Sequence, residues 1–371
     1  MSVSLRDKFY GCICGAHIGS AMGFIVEGRT DEQVAEMYGV VDSLMHPWEY
    51  PDGSVREAGS TEDGIERQKM MITAIMEKGD RVTAEDVRRI WVRDMNPEAA
   101  GVISEPFEGE LLKLAKTRMP AREIGRMCDY AGLNSFSRAC HPIGLINAGD
   151  INTAIEDVHE VGQLYQVTGS RGLKWACVTA VSIAAATKPG ATVDSVLQAV
   201  FDNLDERKRA ERHNNGDGWY ADYTGFNLVD EIKTALDYTK DCRDFNDLRE
   251  AFKPHYNAYG MPYQISYANE VVTKGICIFR MAGSDVKKAI TTAVNIGRDT
   301  DCIAAVAGGI SGALNGTASI PPEWISQVNQ ATQVLRYTNN KRTMQEHADG
   351  LYDAFKNRLH KMVLNADLMK Y

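Results

Sequence analysis

Residues 297–316, GRDTDCIAAVAGGISGALNG, place two aspartates at the start of a smooth, helix-forming segment. Asp299 and Asp301 flank Thr300, and a run rich in alanine and glycine follows them. Two carboxylates in such a turn suit a hard cation such as Mg²⁺ or Mn²⁺. The alternative is helix capping, because aspartate and threonine are good N-cap residues and acids favour helix N-termini. Taken alone, the stretch favours capping.

A second acidic helix start changes that interpretation. The segment GSTEDG (59–64) has a glycine, two hydroxyl residues and two adjacent acids before another helical pattern. Thr61, Glu62 and Asp63 supply one hydroxyl and two carboxylates. Together with the two aspartates at 299 and 301 they make four carboxylates at two helix starts. That is about the charge that two neighbouring divalent cations require.

A third feature lies near the N-terminus, in GAHIGSAMGFIVEG (15–28). Gly15, Gly19 and Gly23 recur every four residues, so they share one helical face and permit another backbone to approach closely. Glu27 follows at the end of the apolar run. Without a partner it is an exposed glutamate at a helix end; beside the other acids it is a further acid at a metal site.

Helical periodicity dominates the rest of the chain. Apolar residues recur at intervals of three and four. This pattern predicts an all-α fold in one compact domain, residues 1–371, with the first and last thirds packed together. The best strand candidate is the short segment 38–44, YGVVDSL. The clearest predicted helices cover residues 62–80, 83–95, 172–187, 267–283, 284–297 and 322–337.

Composition excludes some classes of protein. A net charge of -9 argues against a general nucleic-acid surface, although a local pocket can still hold a nucleotide. The N-terminus lacks the apolar core of a signal peptide, and we expect no apolar stretch long enough to cross a membrane. The eight cysteines form no C-x-x-C pair, so we expect buried free thiols in a reducing cytoplasm. The polar segment 205–225 is either a solvated helix and loop or a flap over a substrate.

In this order, the three stretches resemble the ADP-ribosylglycohydrolase family. Its members carry a G-x-x-x-G-D-A-x-G-x-x-x-E helix, a T-D-D element and a G-G-D-T-D-T-I-A-A-x-x-G-x-x-x-G segment. The sequence here has GAHIGSAMGFIVE, STEDG and GRDTDCIAAVAGGISGALNG in those places. A middle stretch, GLNSFSRACHPIGLINAGD (132–150), is similar to the family's N-G-x-x-M-R-x-x-P-x-G-L segment. The four elements span residues 11 to 316.

The resemblance implies an orthogonal all-α domain that uses two divalent cations, Mg²⁺ or Mn²⁺. The implied reaction is hydrolysis of the ribosyl C1″ bond of an ADP-ribosylated protein or small acceptor. A monomer is one open oligomeric state, and the cysteine usage predicts a cytoplasmic location. Carried over, the metal ligands are Thr61, Glu62, Asp63, Asp299 and Asp301. The catalytic residues are Glu27, as a metal-site acid or water-positioning group, and Asp301. The candidate substrate-binding residues are Asn134, Ser135, Arg138 and Arg298, and His141 is as well explained as a structural hydrogen-bonder.

Departures from the family pattern keep other functions open. Glu62 replaces an aspartate, Cys302 replaces a threonine that suits a hard ion better, and Ser20 replaces the aspartate of the first helix. Arg298 replaces a glycine and brings a positive charge beside the aspartates. One alternative is therefore an N-glycosidase of the same fold that acts on another ribosyl or nucleoside-like metabolite. The other is a non-catalytic binding or structural protein.

Overall fold

The computed structural model describes residues 3–46, 49, 53, 56–99, 106–127, 133–134, 136–206, 227–256 and 265–370. Within these ranges the regular elements are helices, with two isolated β-bridges at Met95–Thr338 and Leu133–Tyr267. The helices are α1 (Leu5–Gly23), α2 (Asp31–Tyr38), α3 (Asp63–Lys78), α4 (Ala84–Asp94), α5 (Pro106–Ala115), α6 (Ala121–Ile124), α7 (His141–Ile146), α8 (Ile151–Gly162), α9 (Arg171–Ala186), α10 (Val193–Leu204), α11 (Leu228–Tyr238), α12 (Phe245–Phe252), α13 (Ala268–Ala282), α14 (Val286–Val294), α15 (Thr300–Asn315), α16 (Pro322–Val334) and α17 (Met344–Leu368).

Each helix predicted from periodicity is present. Helix α3 ends where Gly79 takes a left-handed conformation at φ 63°, and α4 begins after Thr83, which caps it through a reciprocal bond pair with Asp86. The predicted strand at 38–44 is wrong. Asn295 explains why: its side chain donates to the Val41 carbonyl and accepts from the Val41 N–H, so a side chain takes the bonds that a second strand would make.

The glycine face of α1 packs against α15, and the two helices run antiparallel. A Cβ placed on Gly15 would lie 2.1 Å from the Gly308 carbonyl oxygen, and one on Gly19 would lie 2.4 Å from the Ala304 carbonyl oxygen. Gly23 meets the backbone of Asp301 in the same way. The predicted close approach is confirmed. It aligns the end of α1 with the start of α15.

Buried apolar side chains form one large cluster that extends from Phe9 on α1 to Phe355 on α17. Helix α17 packs on both α1 and α3, so the two ends of the chain meet in the same core. The described cysteines are free, as predicted, and all but the half-buried Cys242 are buried. Cys128 lies outside the described residues.

One expectation about membranes needs correction. The segment Leu5–Val26 has a mean hydropathy of 1.5 over its most apolar 18 residues and is long enough to cross a bilayer. Of that window, 94% is buried inside the protein. The helix is apolar because it packs in the core on all sides, which a buried central helix requires.

Three buried histidines make the stability of this fold sensitive to mild acid. Burial lowers the pKa of His17 and of His347, and it lowers the pKa of His141 to about 4 even though two backbone carbonyls, those of Arg138 and Ala305, favour the charged ring. At these histidines the unfolded chain binds protons between about pH 6.5 and 4 that the folded chain does not. Their contribution to the free energy of unfolding therefore decreases as the pH is lowered. For His141 alone the loss approaches roughly 3 kcal/mol at the lower limit.

From pH 7 to pH 5 we expect the thermal unfolding midpoint of His141→Gln to fall less, or rise more, than that of the wild type, because the neutral amide gains no proton on unfolding. The matched control is His360→Gln, because His360 is exposed on α17. Differential scanning fluorimetry across this pH range measures both. An unchanged slope in His141→Gln would show that His141 carries no part of the acid sensitivity.

Candidate functional site

The start of α15 holds two fully buried aspartates. Asp299 occupies the N-cap position, yet its side chain makes no capping bond, and its Oδ2 accepts from Asn134 Nδ2 at 3.0 Å. Thr300 donates its hydroxyl to the Gly23 carbonyl at 2.7 Å, which joins α15 to α1. Among the described residues, no group donates to Asp299 Oδ1 or to Asp301 Oδ1. Capping therefore does not explain the two aspartates.

The start of α3 is arranged differently. Glu62 does cap its helix, because its Oε2 accepts from the Gly64 N–H at 3.3 Å. The Thr61 hydroxyl donates to Glu66 at 2.7 Å and accepts from Lys69 at 3.3 Å. In this structure the Thr61 hydroxyl contacts a buried Glu66–Lys69 ion pair, and its role as a metal ligand stays a prediction.

Arg138 connects the two acidic helix starts. Its Nη1 donates to Asp301 Oδ2 at 2.6 Å and also to Glu62 Oε2, and its Nη2 donates to Asp63 Oδ1. Cys302 Sγ lies 3.0 Å from the same Nη1. Burial alone would lower the pKa of Arg138, but these acids, Asp63 first, hold it well above its usual range. The guanidinium predicted to meet a ligand phosphate thus lies among the carboxylates.

Asp63 is shared between two guanidiniums. Its Oδ2 accepts from Arg67 Nη2 at 2.8 Å, while Arg67 Nε lies 2.9 Å from Glu108 Oε1. Burial would raise the pKa of Asp63, but Arg138 and Arg67 outweigh it and hold that pKa well below its usual range. Both Asp63 oxygens accept from guanidinium groups in this structure, and the role of Asp63 as a metal ligand stays a prediction.

The sequence analysis missed the partners of Asp63. Arg67 follows it by four residues on a helix that was predicted, and this i, i+4 spacing could have identified the pair. Glu108, to which Tyr337 donates its phenol, comes from α5 and has no local signal in the sequence. Only the tertiary contact brings it to the site.

Glu27 follows the short 3-10 turn Phe24–Val26, which continues directly from α1. Its side chain is half-buried. Burial raises the pKa of Glu27 well above its usual range, and the nearby charges of Asp301 and Asp299 raise it further. The close contact of α1 with α15 therefore places this glutamate within electrostatic reach of both aspartates.

Two of the remaining candidate residues contact acidic side chains, and one lies outside the described residues. Asn134 donates to Asp299 and to the Ser266 carbonyl, so its amide positions an aspartate. Arg298 forms a two-point ion pair with buried Glu270, at 2.6 and 3.0 Å. This pair gives buried Glu270 the cationic partner that a buried carboxylate needs, and the substrate contact of Arg298 stays a prediction. Ser135 lies outside the described residues, as do residues 207–225 of the polar segment.

His141 has a structural role. Its Nδ1 lies 2.9 Å from the Arg138 carbonyl, and its Nε2 lies 3.0 Å from the Ala305 carbonyl. Since the ring is fully buried between two backbone segments, it ties the loop that carries Arg138 to α15. This arrangement agrees with the hydrogen-bonding alternative in the sequence analysis.

The carboxylates can hold a divalent cation at one end of the cluster. Among the described residues, Asp299, Asp301 and Cys302 are the one set of metal-binding types with a ligand atom each within 4.8 Å of one another. The aspartate oxygens suit Mg²⁺ or Mn²⁺, and the unpartnered Oδ1 atoms are the donors such an ion needs. The thiol is a poor ligand for a hard ion.

Replacing Asp301 by asparagine is expected to weaken Mn²⁺ binding by at least about tenfold. Loss of a residue that only orients a metal ligand already lowers metal affinity by about that factor. The change removes one charge at constant size, and Glu62 and Asp63 still hold Arg138. Isothermal titration calorimetry measures the affinity. The control is Asp285→Asn, because Asp285 is an exposed N-cap residue of α14 and asparagine also caps helices. Equal affinity in Asp301→Asn and the wild type would exclude Asp301 as a ligand.

The chain is similar to known proteins over most of its length. The sequence profile described as ADP-ribosylglycohydrolase matches residues 1–360. The chain is 27% identical over 330 residues to an uncharacterized protein of Archaeoglobus fulgidus, covering 86% of this chain and 91% of that protein. It is 20% identical over 355 residues to the ADP-ribosylhydrolase ARH3 of Gallus gallus, covering 90% and 92%.

A solved structure, an ADP-ribosylglycohydrolase-related protein complex, is also similar. Its TM-score is 0.60 at 17% sequence identity, and the match covers 95% of this chain and 99% of that chain. At this identity the likeness shows the fold alone. The predicted all-α fold of this type is therefore confirmed.

Proposed function

The chain belongs to the ADP-ribosylglycohydrolase family, and from this premise we propose that it hydrolyses the ribosyl C1″ bond of an ADP-ribosylated protein or small acceptor. The family is one of glycohydrolases. The substrate class, the dependence on Mg²⁺ or Mn²⁺ and a cytoplasmic location are parts of the proposal.

One observation carries the proposal: a half-buried glutamate with a raised pKa stands beside two buried aspartates that have unpartnered oxygens. Glu27 is the half-buried acid of this group, whereas Asp299 and Asp301 are fully buried. A reacting group that meets substrate needs such access, and positions that only stabilise the fold do not.

In the proposed reaction a water oxygen forms a bond to C1″ while the bond from C1″ to the acceptor nitrogen or oxygen breaks. Glu27 orients the water and takes its proton, and the leaving atom takes a proton from solvent. The transition state has cation-like character at C1″, which a negatively charged site favours. A divalent cation bound at Asp299 and Asp301 would hold ribose hydroxyls and lower the pKa of a bound water. Asn134 keeps Asp299 in position.

The test is release of ADP-ribose from a panel of ADP-ribosylated proteins, ADP-ribosylated small acceptors and nucleosides, with and without Mg²⁺ or Mn²⁺. We expect metal-dependent release of ADP-ribose from at least one ADP-ribosylated compound. Release of a free base from nucleosides alone would favour the N-glycosidase alternative. Absence of any sugar product at saturating metal would exclude the proposed hydrolysis and leave a binding role.

A further inference from the structure

We propose that Arg138 is a resident cation in the place of a second metal ion, so that each chain binds one divalent cation, at Asp299 and Asp301. This inference rests on the proposed function for the identity of the site. It differs from the expectation of two cations that the four carboxylates and the family resemblance suggest. Two observations support it: Arg138 is held firmly, and Asp299 Oδ1 and Asp301 Oδ1 have no donor among the described residues.

The main chain and side chain of Arg138 are both held in place. Its carbonyl accepts from Gln68 Nε2 at 3.0 Å and lies 2.9 Å from His141 Nδ1. Its side chain crosses the start of α3 directly over Gly64, where an added Cβ would lie 2.1 Å from Arg138 Nε. A glycine at this position therefore makes room for the guanidinium, and only 7% of the Arg138 side chain is exposed. These contacts fix the position of the Arg138 side chain, whereas a surface arginine would be free to change rotamer.

The guanidinium occupies the place between the two acidic helix starts. One nitrogen, Nη1, donates to acids on both α3 and α15, namely Glu62 and Asp301. Asp63 accepts from Arg138 on one oxygen and from Arg67 on the other. A cation that bridged α3 to α15 would need the same oxygens, and it would meet a fixed positive charge within contact distance. Unlike a lysine, arginine cannot lose its proton to make room for the ion.

The donors that remain lie at the other end of the cluster. Asp299 Oδ1 and Asp301 Oδ1 are buried and accept no hydrogen bond from any described residue. The second oxygen of each is already engaged, by Asn134 and by Arg138 respectively. The two aspartates are thus oriented by their neighbours and present one oxygen each. Such a pair fits one hard cation, completed by water and substrate oxygens.

The substitutions in the motifs are consistent with this arrangement. Glu62, one methylene longer than aspartate, reaches both the Gly64 N–H and Arg138. Cys302 places its sulfur 3.0 Å from Arg138 Nη1, where a thiol serves as a weak acceptor. Both departures from the family pattern contact the arginine. A second cation would gain little from either side chain as it is placed here.

The experiment counts Mn²⁺ ions on the full-length protein. Calorimetry gives the number of tight sites, and electron paramagnetic resonance distinguishes isolated Mn²⁺ from two spin-coupled ions a few ångströms apart. We expect one site and an uncoupled spectrum for the wild type, two sites for Arg138→Gln, and loss of the site in Asp301→Asn. Two coupled Mn²⁺ ions in the wild type, or no tight site at all, would overturn the inference.

Two further outcomes are decisive. If Arg138→Gln folds and still binds one ion, Arg138 does not stand in for a cation and the inference is wrong. If Arg138→Gln does not fold, the wild-type count and spectrum decide alone. Failure of the proposed function has a different signature, because it would leave one bound Mn²⁺ without release of ADP-ribose. Two bound ions with normal release would refute only the inference about Arg138.

Discussion

Replacing Glu27 by glutamine is expected to lower turnover by about 10²–10⁴-fold, the usual contribution of a general base. Glutamine keeps the shape of the side chain but can neither carry the charge nor take a proton from water. The folded protein should be at least as stable as the wild type. Burial and the aspartate charges raise the pKa of Glu27, so its ionised form is disfavoured in the cation-free fold, and glutamine removes that penalty.

The measurement is initial rate on whichever substrate the panel identifies, at saturating Mg²⁺ or Mn²⁺, with the unfolding midpoint recorded for each protein. Glu36→Gln is the matched control, since Glu36 is an exposed residue of α2. A Glu27→Gln protein that is folded and retains near-normal turnover would show that Glu27 is an ordinary glutamate at a helix end.

The second large effect is expected from Gly15→Ala, which should destabilise the protein by roughly 1–3 kcal/mol or more, the cost of overpacking a core. The new methyl group would lie 2.1 Å from the Gly308 carbonyl oxygen and 2.5 Å from its carbon. Both atoms are main chain of a buried helix, so relief requires α1 to move away from α15. Such a movement also shifts Glu27 relative to the aspartates, and activity should fall with stability.

Gly350→Ala is the matched control for this prediction. Gly350 lies within α17, and a Cβ there would meet the flexible end of Met76, with Cε at 2.3 Å. Because the methionine can move and alanine is the better helix former by about 1 kcal/mol, this variant should stay close to wild-type stability. Urea unfolding measures both variants. If Gly15→Ala unfolds at the wild-type midpoint, the helices are not in the tight contact described here.

Local signals in the sequence predicted the parts of the site but not their pairing. Glu62 and Asp299 both stand at helix N-caps, and sequence alone could not say which of them caps. In the structure Glu62 accepts from Gly64, whereas Asp299 makes no capping bond and is held by Asn134. The difference arises from neighbours far away in sequence. Thr61 is a similar case, because its hydroxyl is taken by the Glu66–Lys69 pair.

The sequence by itself predicted the helices and the close approach of another backbone to the glycine face of α1. Its motifs also indicated the family. Apolar periodicity and glycine spacing are local properties, and the glycines at 15, 19 and 23 leave room for only one kind of neighbour, a closely packed backbone. Both patterns can be recognised without knowing which helix packs against α1.

Only the tertiary structure decided what the charged residues do. Arg138, Arg298 and Asp63 were assigned by motif, and each has its charge met by a partner that the sequence did not identify as one. The physical reason is that a charge removed from water must find an opposite charge or a set of hydrogen bonds. Which partner it finds depends on which helices fold against each other, since Asp301 is 163 residues away from Arg138 and Glu270 is 28 residues away from Arg298.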